Sequence, residues 1–216
     1  MANTEKFEQD LNFLISKLTQ TMEKETENKL NELKNHLMQL HKENVVKINH
    51  SVMELVCAKY LILKGYDVLV ELPLDGTLTC DLYAVKGYGS LIVEIETGFI
   101  PPEHALDPSA YTSARIASKI IRYSSHSGKF ALGIPPHYVL PFPQAFTLPP
   151  RERMLEGIKA IKSLCDLYYQ NPPVSLEEVQ NARIHSIYII DVDQTSVREV
   201  DPETYVNYVK SRAIAI

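Results

Sequence analysis

The chain has 216 residues, 45% of them apolar and 23% charged, with a net charge of −5. That composition excludes a wholly disordered chain, and the length allows one sizeable domain plus an appendage. No run approaches the ~18–20 uncharged apolar residues of a membrane helix, and the polar start MANTEKFEQD lacks the apolar segment of a secretory signal. Cys57, Cys80 and Cys165 lie far apart with no C-x-x-C pair. They argue for a reducing, cytoplasmic setting and against a disulfide framework or a zinc knuckle.

The first 64 residues contain neither Gly nor Pro, which predicts long helices. Phe7, Leu11, Leu14, Leu18 and Met22, then Leu30, Leu33, Leu37 and Leu40, step by three and four and form one helical stripe. Residues 1–44 therefore read as a helical arm, either a coiled-coil-like element for homodimerisation or an amphipathic helix folded back on its own domain. A second helix is expected from Val45 to Lys64, closed by Gly65 as a C′ glycine. The period then changes to strands over Tyr66–Leu72, Leu78–Val85 and Ser90–Glu96. Ala110–Tyr123 reads as a helix, Lys129–Ile134 as a strand, Tyr138–Pro150 as a Pro-rich loop and Arg151–Tyr169 as a helix. Ser175 and Glu178 have capping-box spacing, His185–Asp191 is a final strand, and Asp201-Pro202 opens a closing helix. The order predicts an α/β fold, a mixed central sheet flanked by helices over residues 45–216.

The chemistry concentrates in Thr79-Cys-Asp81 and Glu94-Ile-Glu96. Alternation puts Leu91, Val93 and Ile95 on one face of a strand and Ile92, Glu94 and Glu96 on the other. Two such glutamates sit about 7 Å apart, from a rise of roughly 3.3 Å per residue. Asp81, on the preceding strand, reaches the same patch. Gathered carboxylates repel one another, so a compensating cation is expected, and Mg²⁺ (or Mn²⁺) suits oxygen ligands and phosphate chemistry. As a bare pattern, a solvated face on which Glu94 and Glu96 pair with lysines such as Lys86 fits equally.

Helical Glu54, Gly65-Tyr66-Asp67-Val68, Asp81 and Glu94-Ile95-Glu96 together resemble the PD-(D/E)XK nuclease superfamily. They look most like archaeal Holliday-junction resolvases and a nuclease of crenarchaeal spindle-shaped viruses. The resemblance covers about residues 45 to 135. It implies a restriction-endonuclease-like core, a metal held by Asp81, Glu94 and the carbonyl of Ile95, and Glu54 joining through water. It also implies a Mg²⁺-dependent endodeoxyribonuclease, with branched DNA as a candidate substrate, in the host cytoplasm if the chain is viral. The lysine of the E-x-K motif is replaced by Glu96, which cannot supply positive charge. Lys119 is the first choice to reach in from elsewhere; a second cation or a dead site are the other readings. The rival function is a catalytically silent nuclease fold that binds DNA or protein.

Between Asp107 and Glu152 there is no acidic residue. Arg115, Lys119, Arg122 and His126 follow steps of four, three and four, which places them on one helical face. Such a face reads as a contact to the DNA phosphate backbone. Tyr138, Phe142 and Phe146 in the Pro-rich loop either pack over the sheet or form a wedge for branched DNA.

Overall fold

A computed structural model describes residues 2–76 and 78–213. Helices α1 (Ala2–Thr19), α2 (Lys24–Lys42) and α3 (Ile48–Leu63) precede strands β1 (Asp67–Pro73), β2 (Thr79–Lys86) and β3 (Gly89–Ile95). Then follow α4 (Pro108–Tyr123), β4 (Lys129–Ile134), α5 (Leu155–Asp166), α6 (Leu176–Asn181), β5 (Ser186–Asp191), β6 (Ser196–Val200) and α7 (Pro202–Ala213). The six strands form one mixed sheet in the order β1-β2-β3-β4-β5-β6. β3, β4 and β5 run parallel, while the β1–β2, β2–β3 and β5–β6 pairs are antiparallel. No helix among the described residues is long and apolar enough to cross a membrane.

Each face of the sheet carries its own core, as the two-residue period of a strand requires. Leu91, Val93, Ile95, Ala131, Tyr188 and Ile190 pack with α1–α3. Ile92, Phe130, Leu132 and Ile187 pack with α4, α5 and α6. The stripe of the N-terminal arm lies on the first of these faces. Phe7, Leu11, Leu18, Leu30 and Leu37 are buried in the same cluster as Leu55 and Val93. The two helices fold back as a hairpin on their own domain, the second of the two readings of the arm, and one core runs across position 44 without a break.

Several local expectations are met by identifiable bonds. Gly65 closes α3 with φ +82°, the left-handed geometry that a C′ glycine adopts without steric cost. The Ser175 side chain accepts from the Glu178 N–H, and the Glu178 carboxylate accepts from the Ser175 N–H. Asp201 caps α7 by accepting from the N–H groups of Glu203 and Thr204.

Three expectations are corrected. α4 ends at Tyr123, so His126 lies beyond the helix, 3.9 Å from the Asp75 carboxylate, and does not share the basic face. The helix expected over Arg151–Tyr169 is shorter, because Arg153 is drawn into the core before it starts. Its guanidinium donates to the carbonyls of Ala145, Leu148, Val179 and Gln180, tying α6 to the Pro-rich segment. β6 lacks the apolar alternation that would have marked it; it is an edge strand of exposed and half-buried residues paired to β5. The aromatic residues of the Pro-rich loop pack on the sheet's second face, with Phe146 buried. The three cysteines are free and buried.

Candidate active site

The site lies where β2 and β3 part. Their ladder runs from the Lys86–Gly89 pair to Leu82–Val93 and stops there. Beyond that point side chains replace backbone partners. The Asp81 N–H donates to Glu94 Oε1 at 3.0 Å, and the Ile95 N–H donates to Asp81 Oδ2. Buried backbone groups must find partners, so these two carboxylates are fixed by the same bonds that close the ladder's end. Glu96 is anchored in turn by its N–H, which donates to the Gly133 carbonyl of β4 at 2.7 Å.

Facing alternation also slips at this point. Val70 and Leu82 belong to the core under α1–α3, whereas Leu72 and Cys80, two residues along each strand, belong with the core under α4. Between them Glu71 has φ +50°, a left-handed conformation uncommon for a residue with a Cβ and costing of order 1–3 kcal/mol. Asp81 sits opposite it and meets both helical layers. Its Oδ1 lies 3.9 Å from His50 Nδ1 on α3, and its Oδ2 lies 3.8 Å from Lys119 Nζ on α4.

Lys119 enters the cluster from α4. Its ammonium lies 3.0 Å from the Ile95 carbonyl, 3.1 Å from Glu94 Oε2 and 3.1 Å from Glu96 Oε1. Burial opposes its charge, but Glu94, Glu96 and Asp81 outweigh that and hold its pKa well above the usual lysine value. The lysine reaches these groups from α4 rather than from β3. It lies among Asp81, Glu94 and the Ile95 carbonyl, the three groups the sequence reading named as metal ligands. Arg115 binds the outer side of Glu96 at 2.9 Å and donates to the Phe99 carbonyl.

Glu54, Asp81, Glu94 and Glu96 are all buried. Desolvation is the main cost of such a cluster. Burial, then the Asp81 charge, pushes Glu94 up to about 8. Burial does the same to Glu54, helped by Asp81, Glu71 and Glu94, and carries it well above the carboxylate range. At Asp81 burial is outweighed by Lys119, His50 and the Ile95 N–H, so its pKa stays below the usual value. Glu71, half-buried and next to Asp81, rises to about 7 through burial first.

Glu54 is the anomaly. Among the described residues neither carboxylate oxygen has a hydrogen-bond partner, although the side chain is fully buried. A buried polar atom without a partner costs roughly 1–3 kcal/mol and calls for a ligand. One ligand atom each from His50, Glu54 and Asp81 lie within 4.8 Å of one another. Two carboxylates and an imidazole at this spacing form a donor set that could hold a divalent cation. Asp81 is common to this set and to the cluster around Lys119.

The structure thus brings Glu54, Asp81, Glu94, Glu96, Ile95, Lys119 and Arg115 together. Arg122 stands apart, donating to Ser118 Oγ and to the Pro172 carbonyl. Sequence reading missed His50, although it stands one helical turn before Glu54 and shares its face. It missed Glu71 because a left-handed φ at a glutamate leaves no mark in the sequence.

No family model and no curated protein matches this chain. Among solved structures, a CdiA-CT/CdiI toxin and immunity complex from Burkholderia pseudomallei is similar to it at 15% identity and a TM-score of 0.29. That match covers 71% of this chain and 86% of that one. A likeness so slight carries no argument about this protein.

Proposed function

We propose that the protein is a metal-dependent endonuclease that hydrolyses DNA phosphodiester bonds. The observation that carries this reading is the convergence of Asp81, Glu94 and Lys119 at the parted ends of β2 and β3, beside the unpartnered Glu54. Acids held dry by backbone N–H groups, next to a lysine kept protonated, suit a reaction in which negative charge builds on a phosphate.

His50, Glu54 and Asp81 would hold Mg²⁺ or Mn²⁺, which when bound polarises a phosphate and lowers the pKa of water. The chain's own residues do the rest. Lys119 Nζ carries the positive charge that Glu96 cannot, aimed at the site's centre. Glu96 and Arg115 fix one another and hold the ammonium from its outer side. Glu94 Oε2 sits on Lys119 and, with its raised pKa, is able to take up or release a proton near neutral pH. Basic residues of α4 seat the strand, and junction-shaped DNA remains a candidate substrate by family resemblance alone.

The test is cleavage of a labelled four-way junction, a single strand and a linear duplex, with Mg²⁺, Mn²⁺ or EDTA. Cutting that needs the divalent ion and is lost in both Asp81→Ala and Glu94→Ala is the expected result. A second reading has its own observation. The ion pairs of Lys119 with Asp81 and Glu94 balance charge at the site, which a silent nucleic-acid-binding module also needs. Binding without cutting, and no Mg²⁺-dependent rise in melting temperature, would select it.

A further inference from the structure

A cleft of about 740 Å³ opens beside the carboxylates on the α4 side of the sheet. One wall is α4, with Arg115, Lys119 and Arg122; the other is the turn after α5, with Tyr168, Tyr169 and Asn171. That turn lies outside the segment on which the family resemblance rests. Among the described residues no acidic side chain lines the cleft, although the chain as a whole carries −5. Such a lining favours an anion over a cation.

The three cations differ. Arg115 and Lys119 have their charge answered by Glu96 and Glu94. Among the described residues Arg122 makes no ion pair: it donates at 3.1 Å to Ser118 Oγ and 2.5 Å to the Pro172 carbonyl, and Glu178 acts on it only through space. A guanidinium has five N–H donors in a planar fork suited to a phosphate, so Arg122 has both charge and donors to offer. Opposite it the aromatic wall is held rigid. The Tyr168 hydroxyl donates to Asp107, and its ring stands edge-on to Tyr111 and His104 at 5.6 and 5.3 Å.

Charge with interleaved aromatics is what a single strand uses: phosphates on cations and bases on rings. The volume falls within the ~300–1,000 Å³ of pockets that enclose small ligands. It admits a nucleotide or two of one strand, whereas a duplex rides on a broad surface. We infer that this cleft seats a single-stranded polynucleotide, with a phosphate on Arg122 and a base against Tyr168, and leads it past Lys119 to the carboxylates. The delivery to a cutting site rests on the nuclease reading; the binding does not.

The experiment is fluorescence anisotropy of the full chain in EDTA, with a short labelled oligothymidylate and a duplex of equal length. The single strand is expected to bind at least about tenfold tighter. Arg122→Ala and Tyr168→Ala should each weaken it by about tenfold, within the range for one stacked base or phosphate contact. Tyr168→Phe should recover most of the loss and Arg122→Lys only the part that charge alone supplies, and thermal melts establish that the variants fold. Duplex binding as tight as the single strand overturns the inference, as does unchanged binding by both alanine variants. Because no divalent ion is present, strand binding without any cutting in Mg²⁺ would leave the cleft standing and remove the nuclease. Cutting of duplex with no preference for a single strand would do the reverse.

Discussion

At the residue scale, the site is organised by competition for one ammonium. Lys119 sits among three carboxylates, each within 3.8 Å. Removing one partner of a buried ion pair leaves the others unpaired, at roughly 3–5 kcal/mol when the pair is dry. Lys119 is 19% exposed at its side chain, and Glu94 can take a proton, so Lys119→Met is expected to cost about 2–3 kcal/mol in a urea melt. Cleavage should be lost in the same variant, while Lys119→Arg keeps the stability and tests whether the smaller ammonium is required. A second residue titrates far from the carboxylates. His185 Nδ1 accepts the Phe130 N–H at 3.0 Å, which requires a neutral ring. Burial, with Lys129 and Arg183 nearby, holds its pKa below 6.5. The unfolded chain therefore binds more protons below that pH, and stability falls as pH drops through 6.5 toward the folded value. Glu94, Glu71 and Glu54, whose pKa values are raised, act in the opposite sense, so the His185 part is read as a difference: relative to His185→Asn, the wild type should lose stability between pH 7 and 5.

At the element scale, the parting of β2 and β3 and the segment after β3 decide the geometry. A ladder continued past Leu82–Val93 would point the Asp81 and Ile95 N–H groups at backbone carbonyls. Here they hold Glu94 and Asp81 instead. Downstream, Gly98 has φ +79°, and a Cβ there would meet Tyr138 Cδ2 at 2.6 Å. The left-handed backbone alone costs an alanine about 1–2 kcal/mol, and the Tyr138 ring must also move. Gly98→Ala is expected to lose about 2 kcal/mol or more by thermal or urea unfolding. Because Phe99, next in the chain, receives Arg115 through its carbonyl, the variant should also loosen the Arg115–Glu96 pair and lower turnover. A normal melting curve would show that this turn is not tightly packed.

At the scale of the whole molecule, the N-terminal hairpin is structural. Leu37 and Leu11 are fully buried against the domain, and Leu37→Ala should cost ~2–5 kcal/mol, as other large-to-small core changes do. Equilibrium unfolding would check this, and a near-neutral result would mean the hairpin is only loosely docked. The amino-acid sequence by itself determined the element types. Glycine and proline punctuation, two-residue and 3.6-residue periods, and capping pairs such as Ser175–Glu178 act within a few residues of chain. It also determined that Glu94 and Glu96 share a face, because alternation in a strand is local, and it brought Lys119 forward through the charge on one helix. The tertiary structure decided the rest. Whether the stripe of α1 and α2 met another chain or its own sheet depended on what surface α3 and β1 left uncovered. The slip of facing at Glu71 and Asp81, the entry of His50, and the wall formed by Tyr168 all depend on groups distant in sequence meeting at one place. A local pattern carries no record of such meetings, because burial and charge balance there are set by the packed layers together.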